Sequence, residues 1–164
     1  MSRQLRILYP GAWYHVMNRG ANRQPIFLKP YHREMFIDLL RHISIVYKIE
    51  IHAFCLMGNH YHLLIRTPRG NLPEAMRHLD SVYTTRLNKD LSKDGPLFRG
   101  RYKAILVEAD EYLLHVSRYI HLNPLEANLV DDLSLYPWSS YHFYVGLGKT
   151  KYNIKMANVW RYLL

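Results

Sequence analysis

Cysteine is nearly absent: Cys55 is the only thiol in 164 residues, which excludes an intramolecular disulfide and suits a reducing compartment. No apolar run approaches the roughly 20 residues needed to cross a bilayer. Met1–Pro10 is basic and lacks the apolar stretch and small-residue cleavage site of a signal peptide, so a cytoplasmic protein is expected. Low-complexity tracts and repeats at solenoid spacing are also missing, which predicts one domain over residues 1–164. Acidic residues are scarce, with 13 Asp+Glu against 22 Lys+Arg, a formal charge of +9 and a pI near 9.7. Such a surplus favours a polyanionic partner, because neutralised phosphates release counterions. A basic surface that merely keeps the chain soluble is the other reading of that charge. An apolar share of 49% argues against disorder, and 14 tyrosines suit base stacking as well as a core.

Periodicity then organises the chain. Trp13–Arg19 alternates and predicts a strand, followed by a loop over Gly20–Lys29. Met35, Phe36, Leu39, Leu40, Ile43, Val46 and Tyr47 share one face at a period near 3.6, predicting an amphipathic helix over Tyr31–Lys48. Ile51–Met57 and His60–Arg66 are apolar runs separated by Gly58-Asn59, which predicts a hairpin with a type II′ turn. Asn71 followed by Glu74 has the form of a capping box, with Pro73 in the first turn of a second helix carrying Leu72, Met76, Leu79, Tyr83 and Leu87. Asn88–Gly100 is polar and predicts a loop, and Tyr102–Glu108 a fourth strand. A third helix is expected from Asp110 to about Leu122, stopped by Pro124. The remainder, with Pro137–Tyr141 and a basic tail, predicts irregular structure with one short helix. The expected class is therefore α+β: a ferredoxin-like split βαβ sandwich whose four-stranded antiparallel sheet has helices on one face, plus a further helix. Many functions use that fold, so it decides none.

Two local patterns carry chemistry. In His60-Tyr61-His62 the imidazoles project on one face of a strand, close enough to chelate one divalent ion, with Tyr61 turned away. Two ligands alone do not make a metal site, and turn-capping or half-burial explains such a pair equally well. The hairpin register sets Cys55 opposite His62, as a soft third ligand favouring zinc or as a small buried residue. On the third helix, His115, Tyr119 and Asn123 recur every four residues on one face. Tyr119 is a candidate nucleophile and Asn123 an oxygen donor to a hard metal, unless Tyr119 only packs and Asn123 only ends the helix.

Together with these residues, the segments YHVMNRG (14–20), FCLMGNHYHLLI (54–65), LFRGRYKAILVE (97–108), RYIHLNPLEANLV (118–130) and PWSSY (137–141) resemble the HUH-type single-tyrosine transposases, in particular the REP-associated tyrosine transposases of bacteria. The resemblance spans residues from about 14 to 145. It implies cleavage and rejoining of single-stranded DNA beside a hairpin, on a nucleoid-associated protein of the bacterial cytoplasm. It makes His60 and His62 the two histidine ligands, Asn123 the third ligand and Tyr119 the nucleophile that forms a 5′-phosphotyrosine. It also implies Mg2+ or Mn2+, where imidazoles by themselves fit zinc or manganese equally. Arg99, Arg101 and Lys103, with Arg19 and Arg23 after them, are the expected phosphate contacts, against the alternative of a solvated basic loop. His115 and His121 match no family role. Both a monomer and a homodimer agree with the pattern. Two rival functions stand beside this one: a domesticated, non-catalytic binder of nucleic-acid hairpins, and a metal hydrolase that uses water instead of Tyr119.

Overall fold

The computed structural model describes residues 5–108 and 110–146. Its first strand, β1 (Ala12–Arg19), is the hub of the sheet, because both faces of it are covered and both edges are paired. β2 (Glu50–Leu56) and β3 (His60–Thr67) form the expected hairpin, and β4 (Lys103–Val107) closes the far edge. The strand order is β2-β3-β1-β4 with every pair antiparallel, which is the ferredoxin-like arrangement.

Alternation in β1 and β3 sends residues to two different cores. Tyr14, Val16, Tyr61, Leu63 and Ile65 pack under α1 (Pro30–Tyr47) and α2 (Leu72–Leu91), together with Phe36, Leu40, Met76 and Tyr83. On the opposite face Ala53, Cys55 and Leu64 meet Leu113 and Ile120 of α3 (Asp110–Glu126) in a smaller cluster. His15, His60 and His62 belong to this second face. α1 starts at Pro30, where the lost N–H costs nothing, and His32 Nδ1 accepts the free Leu28 and Lys29 amides at 3.2 Å each.

Several local expectations need correction. Gly58 lacks the positive φ of a type II′ turn; the carbonyls of Gly58 and Asn59 instead accept the amides of Ile26, Phe27 and Gly20, so a neighbouring loop shapes the hairpin. Asn71 makes no side-chain cap; its Nδ2 donates to Tyr47 O at 2.9 Å and ties the end of α1 to the start of α2. α2 runs a turn further than expected because Leu91 continues the apolar stripe, and it ends at Ser92 with φ 50°. Nor does Pro124 stop α3. The proline cannot donate to Ile120 O, but Asn123 Nδ2 bonds Tyr119 O at 2.8 Å and reaches Ile120 O at 3.4 Å, covering the exposed carbonyls. The helix ends at Glu126, and Asn128, φ 54°, turns the chain away after it.

Pro137–Tyr141 is more ordered than expected. Leu56 N donates to Trp138 O and Ser140 N to Phe54 O, so this segment covers the free edge of β2 before the short helix α4 (Tyr141–Tyr144). Ser140 Oγ also accepts Phe54 N at 2.8 Å and lies 2.7 Å from His121 Nε2, which gives His121 a structural place. The basic tail expected after it lies outside the described residues.

Candidate active site

Three histidines and one tyrosine converge on the α3 face of the sheet. β3 supplies His60 and His62, with ring centroids 5.1 Å apart, and β1 adds His15, 5.1 Å from His62. The ring of Tyr119 reaches over from α3 and stands edge-on to His15 and His62, with centroids 5.7 Å away from each. Tyr119 is 45% exposed, so its hydroxyl is open to a substrate.

Both strand histidines are anchored through the same ring atom. His60 Nδ1 lies 2.7 Å from Asn59 Oδ1, an acceptor, so Nδ1 carries the hydrogen and Nε2 keeps its lone pair. His62 Nδ1 lies 2.9 Å from His15 Nε2, and the same tautomer at His62 makes His15 the acceptor. Burial holds His60 neutral, with its pKa down at about 4 and Arg19 adding to the shift. Burial, then the neighbouring His15 and His60, pushes His62 down to about 3. Two neutral imidazoles with free Nε2 atoms are a fitting donor pair for a divalent cation. Asn123 is nearly buried and its Nδ2 is bonded back to Tyr119 O. No cluster of three or more His, Cys, Asp or Glu arranged for a metal exists among the described residues.

Cys55 does pair with His62 in the ladder, as the hairpin register predicts. It is a fully buried thiol beside Met57 Sδ at 3.6 Å, and burial lifts its pKa to about 12. Its complete burial against Met57 fits the small-residue reading.

The histidines open into a cleft lined by Met17, Asn18, Arg19, His60, His62, Arg99, Gly100, Arg101 and Lys103. Four of the five expected cationic contacts are thus gathered around the two strand histidines. Arg23 is not: it sits in the next loop with φ 59°, its carbonyl accepting from Asn59 Nδ2 at 3.2 Å. Loop 97–101 is held by β1, through Arg99 N to Arg19 O at 2.9 Å and Ala21 N to Leu97 O at 2.9 Å. Gly20 is obligatory between them, since a Cβ there would meet Gln24 O at 2.1 Å.

A carboxylate unremarked in the sequence ties these pieces together. Asp80 of α2 accepts Tyr61 Oη at 2.8 Å and Asn18 Nδ2 at 2.9 Å, and the same Nδ2 reaches Gly100 O at 3.2 Å. Asn18 Oδ1 in turn accepts Arg19 N at 2.9 Å. Desolvation raises Asp80 to about 6, against the two hydrogen bonds that favour its charged form. His15 and Asn18 lie in the segment 14–20 but were given no role, and Asp80 gave no signal, because strand pairing and the packing of α2 on the sheet bring them to the site.

Comparison with known proteins follows the same lines. The model of the family described as "Transposase IS200 like" matches residues 9–123. The chain belongs to this family. It is 25% identical over 153 residues, 87% of this chain and 86% of the other, to a Haemophilus influenzae protein assigned to the REP-associated tyrosine transposases. Its fold is similar to that of a REP-associated tyrosine transposase solved bound to a REP hairpin, with a TM-score of 0.74, 19% identity, and coverage of 97% of this chain and 93% of that one. A transposase-like protein from Deinococcus radiodurans aligns with a TM-score of 0.50 and 20% identity over 73% of this chain and 95% of that one. The described residues of this transposase contain no helix long and apolar enough to cross a membrane.

Proposed function

We propose that this transposase binds DNA hairpins and cuts and rejoins the adjoining single strand, with Tyr119 as nucleophile and a divalent ion, Mg2+ or Mn2+, held by His60, His62 and Asn123. The observation that carries this reading is the Tyr119 ring 5.7 Å from that of His62 beside a cleft lined by Arg19, Arg99, Arg101 and Lys103. The hairpin is carried over from the structural relative, whose complex contains one. A genomic DNA substrate agrees with a nucleoid-associated protein of the cytoplasm.

In this reading the cationic side chains bind the phosphates flanking the scissile bond and align it with Tyr119. The bound ion supplies charge neutralisation at the phosphate and fixes its orientation. Tyr119 Oη loses its proton and bonds to phosphorus, and the P–O3′ bond breaks. The products are a 5′-phosphotyrosine and a 3′-oxygen that takes up a proton. The exchanged ester conserves the bond, so a second 3′-hydroxyl reverses the step and joins strands. A tyrosine whose ring stands edge-on to His15 and His62 and which is half exposed is well placed for such attack.

The test is incubation with Mn2+ and a hairpin oligonucleotide carrying a single-stranded flank, followed by denaturing electrophoresis. A protein–DNA adduct is expected for the wild type and none for Tyr119→Phe. Binding without any adduct leaves the hairpin-binding function alone standing, and cleavage that survives Tyr119→Phe points to a water-using hydrolase.

A further inference from the structure

The cleft continues past the histidines. α3 packs mainly over β2 and β3, and on the same face of β4 it covers Val107 but not the residues before it. Lys103 and Ile105 are exposed there, Ile105 at 56%, although alternation points both toward the α3 side. Ile105 is the ladder partner of His15, whose ring meets Tyr119, so this open floor begins at the nucleophile. Its wall is α3 itself. Tyr112, His115 and Tyr119 recur at three and four residues and form one stripe, all exposed, with Tyr112 at 58% and its ring 6.4 Å from that of His115. Because α3 doubles back from the end of β4, Tyr112 lies at the Val107 end of the groove and Tyr119 at the metal-binding end.

We propose that this groove between β4 and α3 holds the unpaired DNA next to the scissile phosphate, with bases stacked on Tyr112 and His115 and the backbone passing Lys103. The inference deepens the DNA-cutting reading above and rests on it. The groove is continuous with the cationic cleft, and Lys103 belongs to both, so its charge suits a polyanion. Its apolar and aromatic surface suits bases, which offer a π-face whatever their identity, so recognition in it tolerates sequence. A second copy of the chain is the competing occupant.

The test uses the full-length Tyr119→Phe protein, so that binding is read without turnover. One oligonucleotide is a hairpin with a single-stranded flank carrying 2-aminopurine, and the other is the same hairpin without a flank. The flank should add affinity and its 2-aminopurine should be quenched on binding. Tyr112→Ala should cost about tenfold in affinity for the flanked hairpin and release the quench, Tyr112→Phe should stay within about twofold, and neither should change binding of the blunt hairpin. Tyr112 is exposed, so thermal midpoints should match and folding does not confound the result. Equal binding of both oligonucleotides, or an unchanged quench with Tyr112→Ala, overturns the groove alone. So does a Tyr112→Ala protein that changes sedimentation but not DNA affinity, which points to a second copy instead. Binding of neither oligonucleotide overturns the parent reading and the groove with it.

Discussion

Tyr61 lies between the two histidines and turns its hydroxyl the other way, onto Asp80. Through Asn18 the same carboxylate reaches Gly100, so residues flanking three cleft positions depend on one side chain of α2. Asp80→Ala leaves Tyr61 Oη and the Asn18 amide without their acceptor and should cost about 1–3 kcal/mol by chemical denaturation, with weaker hairpin binding by titration. His15 acts on the other side of the same strand. If it orients His62, His15→Ala should lower Mn2+ affinity by about 10–100-fold in calorimetry while the fold persists. Cys55 packs rather than binds: Cys55→Ala should leave Mn2+ affinity and adduct yield as in the wild type, because the thiol is fully buried against Met57. Loss of Mn2+ binding in that variant would return it to the ligand set.

At the scale of elements, α3 carries two demands on Asn123, which patches the carbonyls around Pro124 and is the proposed third metal ligand. The two can be separated. Asn123→Ala should cost about 1 kcal/mol of stability, and adding Pro124→Ala returns a backbone N–H to Ile120 O and should recover most of it. Adduct formation should stay low in both variants. Recovery of adduct together with stability would reduce Asn123 to a helix-stabilising residue. The segment that covers the β2 edge is a second such element, where Ser140 joins Phe54 and His121 at once.

For the whole molecule, charge and proton uptake set the conditions of action. Each of Arg19, Arg99, Arg101 and Lys103 that contacts a phosphate adds about 0.7–0.9 to the slope of log affinity against log salt. Arg99→Ala should lower that slope, while Arg23→Ala, outside the cleft, should leave it unchanged. Stability should also fall in acid. Burial holds His52 and His121 neutral, each with a pKa of about 4 against an ordinary 6.5. The unfolded chain takes up these protons as pH falls through 6.5 and the native chain does not until near 4. Their contribution is thus complete above about 6.5 and is lost toward pH 4, by about 1.4 kcal/mol per unit for each histidine. A thermal midpoint that does not move between pH 7 and 5 would contradict this.

The order of strands and helices was legible in the sequence because each carries its own period, 2 in β1 and β3 and 3.6 in α1 and α2, and burial of each apolar face leaves few ways to assemble them. His60, His62, Tyr119 and Asn123 were legible for the same reason, being neighbours on one strand face and one helix face. What periodicity cannot encode is contact between elements distant in the chain. Hence the hairpin turn was decided by the Gly20–Phe27 loop, and the passage of α3 through Pro124 by a side-chain amide. The sequence by itself determined the proposed metal-ligand pair, the proposed nucleophile and the positive charge. Only the tertiary structure brought Tyr119 over His62, placed His15 and Asp80 behind them, and left Lys103 and Ile105 of β4 uncovered beside α3, because pairing β1 between β3 and β4 joins residues that no local spacing relates.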